Sequence, residues 1–312
     1  MIPLVPVAVV GGGRHAGALA DHRAPFRRFR IAGWAPAGDA AEAERAASLA
    51  DRLGVPFVRD AGEVVRDGAI RVVLVLTDDA GRDRIAAEAL AAGKAVLSPG
   101  RTASAPNGGP VHLAPGELRY APGVRAALQG IARGEAGSLH SMYVAVRAPR
   151  THGGGARGVV DRWGWDVCEV LVHAAGGGGI ARVQATAARL FGGAPGAVDT
   201  VVALVRFESG LIATVEISEC LPASAPAAPA DVEIEAVGTR RAIHIRPYQT
   251  AVRVYGPAAL SLHPWVDPPV LGMVDDLLDA IDGTGARPDA AVVQRVAALS
   301  RRVDEAVRGG QA

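Results

Sequence analysis

Val5-Pro6-Val7-Ala8-Val9-Val10-Gly11-Gly12-Gly13-Arg14-His15-Ala16 decides the fold: a short apolar run ends in glycines and a helix-compatible stretch follows. Gly11-x-Gly13-x-x-Ala16 fits the dinucleotide fingerprint G-x-G-x-x-G/A. The first glycine permits the tight turn, the second lets a pyrophosphate approach the backbone, and the small third residue lets helix meet strand. The phosphates then rest on the helix N-terminus, where N–H groups and the dipole favour an anion.

Outward from that turn the chain alternates. Residues 29–34 read as a second strand, and 40–53 as an Ala-, Glu- and Arg-rich helix stopped by Gly54. Residues 71–77 have the β-branched run of a strand buried on both faces, 83–92 form a helix ended by Gly93, and 95–97 start another strand. This spacing predicts a parallel sheet with crossover helices, a Rossmann unit in an α/β fold. The fingerprint calls for an acidic residue about 20 positions on, for the ribose hydroxyls. Ala35 stands there and Asp39 comes several residues late. Losing the carboxylate relieves repulsion against a 2′-phosphate, and Arg14 is a cation for one, so NADP is slightly favoured over NAD. His15 borders the cofactor or lies exposed in the turn, and Thr77 closes the third strand beside it.

The rest of the composition bounds the answer. At 312 residues the chain makes about two domains at roughly 150 residues each. Lys plus Arg (33) balances Asp plus Glu (32), leaving a formal charge of +1 and no basic footprint for nucleic acid. No apolar run is long enough to span a membrane, and the N-terminus reads as a first strand rather than a signal peptide. Cys168 and Cys220 make no disulfide framework, so a reducing cytoplasm is expected. Cys168 reads as core and Lys94 as a surface charge. Farther on, 201–207, 211–217, 232–237, 242–245 and 252–254 alternate or run β-branched between Gly and Pro turns, a strand-rich α+β half.

Several segments together resemble the Gfo/Idh/MocA oxidoreductases, the glucose–fructose oxidoreductase and inositol dehydrogenase group. They are Val10-Gly11-Gly12-Gly13, Leu49-Ala50-Asp51-Arg52-Leu53-Gly54-Val55-Pro56, the stretch 86–97, Leu118-Arg119-Tyr120-Ala121-Pro122, and Met273-Val274-Asp275-Asp276-Leu277 with Arg287-Pro288 and a closing helix over 290–307. The resemblance implies a Rossmann domain over 1–121 and a second domain over 122–312, closing helices at about 270–309, built on a large open, mostly antiparallel sheet whose face meets the nicotinamide. It also implies a homodimer or homotetramer.

The chain departs from that family where the chemistry belongs. Glu-Lys-Pro after the strand 95–97 is replaced by Ser98-Pro99-Gly100, with Arg101 next as the candidate substitute cation for an anionic substrate. Residues 102–110 have loop composition where the family has a helix, and Gly153–Gly155 and Gly176–Gly179 read as loops around the next motif. That motif, Asp-x-Gly-x-His-x-x-Asp, appears as Arg162-x-Gly164-x-Asp166-x-x-Glu169. These departures point away from ordinary sugar-alcohol dehydrogenation.

Asp166, Glu169 and His173 stand at i, i+3 and i+7, one face of a helix beginning near Trp163, beside an apolar stripe of Trp163, Val167, Val170, Leu171 and Ala174. A half-buried carboxyl there can hold a raised pKa and donate a proton. Asp166 is the candidate acid, with Glu169 or Tyr120 as alternatives; Arg119 and His173 are candidate substrate contacts. A solvated helix face is the plain alternative, and metal binding by the trio lacks a fourth ligand. The functional expectation is an NAD(P)-dependent oxidoreductase reducing a carbonyl or imine of a small biosynthetic or sugar-like substrate. A cofactor-binding pseudoenzyme and a non-redox lyase, cyclase or isomerase remain open beside it.

Overall fold

The computed structural model describes residues 4–22, 25–77, 81–101, 109–150, 158–191, 197–222, 230–246, 251–255, 260–264, 268–285 and 289–309. The expected loops at 102–108 and 153–155, and Arg287-Pro288, lie outside the described residues.

The first half runs β1 (Val5–Val10), α1 (Arg14–Asp21), β2 (Phe29–Ala35), α2 (Ala40–Leu53), α3 (Ala61–Arg66), β3 (Val72–Val75), α4 (Arg82–Ala91), β4 (Ala95–Leu97) and β5 (His112–Leu113). Its five strands form one parallel sheet in the order β2-β1-β3-β4-β5. Val10, Val73, Val75, Ile85 and Val96 are sealed in its core. Each such side chain contributes about 1.5–3 kcal/mol by leaving water. The strand order reverses at β1, so the carboxyl ends of β1 and β3 form a topological switch point, where ligands of open α/β sheets bind.

The second half runs α5 (Pro122–Ala132), β6 (Leu139–Pro149), α6 (Trp165–Ala174), β7 (Ile180–Ala188), β8 (Thr200–Phe207), β9 (Ile212–Leu221), β10 (Asp231–Gly238), β11 (Ala242–Ile245), β12 (Ala251–Tyr255), β13 (Leu260–Pro264), α7 (Pro269–Asp282) and α8 (Ala290–Gly309). Six strands make a sheet ordered β11-β10-β6-β9-β8-β7, antiparallel throughout except for the β6–β9 pair. One face buries Val144, Val146, Val205, Val215, Ile217 and Ile234 with Val167 and Leu171 of α6. The opposite face leaves Val202, Leu204 and Ile212 exposed. Beside them Tyr143 donates to Glu216 at 2.8 Å, and Arg147 holds the same carboxylate at 2.8 and 2.7 Å. The α/β class and the two architectures agree with the sequence reading.

The chain divides into two units, 1–117 with 267–290 and 118–266 with 291–312. The junction thus falls a few residues before the expected 121/122, and α7, expected in the second domain, belongs to the first unit. The cause is ionic as well as apolar: Arg28 pairs with Asp279 at 2.7 Å, Asp282 at 3.4 Å and Asp275 at 3.6 Å, while Val270, Met273, Val274 and Leu277 are fully buried. α8 buries Val296, Leu299, Val303 and Val307 in the second unit's core. Among the described residues, no helix is long and apolar enough to cross a membrane.

Candidate active site

Gly11 has φ +117°, and a Cβ on it would lie 2.7 Å from the Leu76 carbonyl oxygen and 2.8 Å from the Thr77 nitrogen. Only glycine tolerates both the dihedral and the approach. The turn is stapled to its neighbours: Gly11 N–H donates to Ala35 O at 2.8 Å, Gly13 N–H to Leu76 O at 2.9 Å, and the Trp34 indole to Gly11 O at 2.8 Å. α1 starts immediately afterwards with no acidic residue in its first turn, and Ala16 is fully buried. A bare backbone cradle at a switch point, opening onto an anion-attracting helix end, fits a dinucleotide pyrophosphate.

The side chains around the turn refine that picture. Arg14 pairs with Glu117 at 3.0 Å, so the cation expected for a 2′-phosphate is already engaged. His15 is half-buried; burial first, then the Arg14 and Arg82 guanidiniums, lower its pKa to about 3, leaving it neutral at pH 7. Thr77 is buried just past β3. Arg82, from the start of α4, donates to Pro99 O at 3.0 Å and to Arg101 O, fixing the backbone of the segment that replaces Glu-Lys-Pro. Arg101 itself is half-buried. Ser98 and His112 meet at 2.7 Å inside the unit and pin β4 to β5; burial holds His112 below the usual histidine range.

Two side chains correct the sequence reading. Lys94 is not a surface charge: it is 8% exposed and its Nζ donates to Asp67 O at 2.6 Å and Ile70 O at 2.8 Å, charge-assisted bonds that tie down the turn before β3. At the end of β2, Ala35 is buried and offers no carboxylate, but Glu42 supplies one from α2. Its Oε2 accepts from the amides of Ala37 at 2.8 Å and Gly38 at 3.1 Å, and its Oε1 from Gly12. Sequence reasoning missed Glu42, although Asp39-x-x-Glu42 is a capping-box signature. The structure keeps half of that box: Asp39 accepts from Glu42 N at 2.9 Å, while the Glu42 carboxylate turns to the fingerprint instead of back to Asp39.

In the second unit a single π-helical turn, Val160–Gly164, leads into α6. The polar side of α6 is not solvated. Asp166 is 3% exposed and accepts from the Leu118 amide at 3.0 Å. Glu169 is 7% exposed and pairs with Arg119 at 3.0 Å. Arg119 also donates to the Tyr120 hydroxyl at 2.8 Å. The segment 118–120 thus lies along the Asp166–Glu169 face, and the structure gathers four sequence-chosen residues. Arg162 of the π turn pairs with Glu219, whose pKa burial raises despite that guanidinium. Cys168 packs in the core as expected. No group of three or more His, Cys, Asp or Glu among the described residues is placed to hold a metal ion.

His173, half-buried, is pushed to about 4 by burial and then by Arg119 and Arg295. A histidine depressed below its unfolded value of 6.5 binds fewer protons folded than unfolded. Its contribution is therefore intact above 6.5 and erodes as pH falls from 6.5 towards 4. Between pH 7 and pH 5 we expect His173 to account for about 1 kcal/mol of lost stability, allowing for its partial exposure. Urea unfolding of His173→Asn should show a correspondingly flatter dependence on pH, and an unchanged slope contradicts the assignment.

The family model of the GFO/IDH/MocA C-terminal domain matches residues 124–244. A search of curated proteins returns no match. Among solved structures, GenD2 from gentamicin A biosynthesis, in complex with NAD, is 25% identical with a TM-score of 0.76, over 99% of this chain and 95% of that one. UDP-N-acetylglucosamine 3-dehydrogenase GnnA from Acidithiobacillus ferrooxidans is 16% identical with a TM-score of 0.74, over 99% and 100%. The scyllo-inositol dehydrogenase from Lactobacillus casei, with bound NAD(H) and scyllo-inositol, is 16% identical with a TM-score of 0.71, over 98% of both chains. Residues 124–244 of the second unit are thus matched as a GFO/IDH/MocA C-terminal domain, and the chain shares the fold of these dehydrogenases over nearly its whole length.

Proposed function

We propose that the chain is a nicotinamide-dependent oxidoreductase that reduces a carbonyl or imine of a small, sugar-like substrate. The observation that carries the reading is Gly11, whose dihedral and missing Cβ open a backbone cradle at the switch point of the parallel sheet. Gly11, Gly13, Arg14, His15 and Ala16 would hold the dinucleotide, with Ala35 and Thr77 flanking it at the ends of β2 and β3. When bound, the nicotinamide supplies the hydride. NAD carried by GenD2, and NAD(H) by the scyllo-inositol dehydrogenase, supports the choice of cofactor.

This chain's own contribution is proton management. Asp166 is a carboxyl shielded from water, and we assign it the proton given to the reacting oxygen or nitrogen. Glu169 acts beside it as a fixed anion, because Arg119 holds it; Tyr120, bonded to the same guanidinium, is the reserve donor. His173 is neutral at pH 7 and serves as a hydrogen-bonding group towards substrate hydroxyls, not as an acid. Arg101 is assigned to an anionic group of the substrate. The exposed Val202, Leu204 and Ile212 suit burial in a homodimer or homotetramer, and the two free thiols suit a cytoplasmic setting.

Asp166→Asn tests the assignment, since Asn retains an acceptor for the Leu118 amide but loses the acid. The expected result is a fall in kcat of about 10²–10⁴-fold with the NADH dissociation constant unchanged. A second reading, dinucleotide binding without turnover, is favoured by one observation: Asp166 and Glu169 are both engaged by Leu118 and Arg119. Tight NADH binding with no turnover across carbonyls, imines and alcohols would decide for it.

A further inference from the structure

We infer that Glu42 makes this chain select NAD over NADP, by placing a buried carboxylate where a 2′-phosphate has to sit. The inference rests on the dinucleotide reading above and concerns the ribose end of that site.

In fingerprint-type units the adenosine ribose lies at the end of the second strand. Here that strand ends at Ala35, a methyl group, which by itself leaves room and no charge for a phosphate. The amides that follow are not available to one, however. Glu42 takes Ala37 N–H at 2.8 Å, Gly38 N–H at 3.1 Å and Gly12 N–H, and it is only 2% exposed. Gly12 matters as well, because a Cβ there would lie 3.0 Å from Ala46 N and 3.1 Å from the Arg45 Cβ. The close approach brings the first two turns of α2 directly against the fingerprint, which is how a helix residue reaches a position normally served by the strand.

The carboxylate is firmly placed. Asp39 caps α2 by accepting from Glu42's own amide at 2.9 Å, and the N-terminal end of a helix favours negative charge. A carboxylate has about four acceptor sites, and three amides leave one open. A ribose 2′-hydroxyl can donate a hydrogen bond to that site. A 2′-phosphate has essentially no proton to give and brings like charge to a group shielded from water. Arg14, the cation beside the turn, is held by Glu117 at 3.0 Å. The displaced carboxylate therefore reverses the preference that Ala35 alone implies.

The test is equilibrium titration of the full chain with NADH and with NADPH, read by nicotinamide fluorescence at fixed salt, for wild type and Glu42→Gln. We expect wild type to prefer NADH by about ten- to a hundredfold, and the variant to lose at least about tenfold of that ratio, mainly by binding NADPH more tightly. Thermal unfolding shows whether the variant is folded. Should it not fold, competition in the wild type decides: ADP must displace NADH about tenfold better than 2′,5′-ADP. Equal or better binding of the 2′-phosphorylated forms by wild type, or an unchanged ratio in a folded Glu42→Gln, overturns the inference while leaving the dinucleotide site standing. Failure to bind either dinucleotide overturns both.

Discussion

Gly11→Ala is expected to be among the most damaging substitutions in the chain. The methyl group has to occupy space 2.7 Å from Leu76 O and 2.8 Å from Leu76 C, backbone atoms of the strand end that cannot swing aside. The residue must also keep φ near +117°, which costs a non-glycine about 1–3 kcal/mol alone. With the overpacking added, we expect about 3 kcal/mol or more of lost stability, roughly 5–10 °C in Tm. NADH affinity should fall by at least about a hundredfold as the cradle distorts. Gly17→Ala is the matched control, because nothing lies within 4 Å of its Cβ and it sits inside α1. It should gain about 0.5–1 kcal/mol and bind normally. Thermal melts and NADH titration of the pair check both statements; equal behaviour of the two variants contradicts the account of the turn.

The second large effect concerns the ion pair in the other unit. Arg119→Met removes the guanidinium 3.0 Å from Glu169, whose side chain is 9% exposed, together with the donor to the Tyr120 hydroxyl. Breaking a buried pair from one side costs about 3–5 kcal/mol, since a charge stays behind without that partner. Arg119→Met with Glu169→Leu should recover most of the loss, because a well-packed apolar pair often replaces a buried ionic one at little cost. Urea unfolding of the two single variants and the double variant gives the coupling energy directly. A cycle with coupling near zero means the pair is an exposed ornament and the packing described for α6 is wrong.

The sequence carried the first unit well because each signal there is local. The fingerprint, Gly54 with φ +63°, and the β-branched run at β3 lie within one turn or strand of the structure they specify. The second unit was harder. β6, the eleven-residue strand at the middle of its sheet, was not read, since Tyr143 and Arg147 face the Glu216 network while Ala145 is buried among them, leaving no clean alternation. β7 is an Ala- and Gln-bearing edge strand with little β-branched character. Helix periodicity put Asp166, Glu169 and His173 on one face, but Leu118 and Arg119, which bond Asp166 and Glu169, come from about fifty residues away, and no local pattern encodes them. Lys94 and Glu42 failed for the same reason: each looks like an ordinary helix-end charge until the carbonyls or amides it serves are brought to it by the fold.

Calorimetric titration of the purified full-length chain with NADH is the most direct measurement of the central claim. Saturable binding is expected, with a micromolar dissociation constant and one site per chain, about −8 kcal/mol, abolished in Gly11→Ala and retained in Gly17→Ala. No heat and no saturation up to millimolar NADH, from a protein that melts cooperatively, would contradict it.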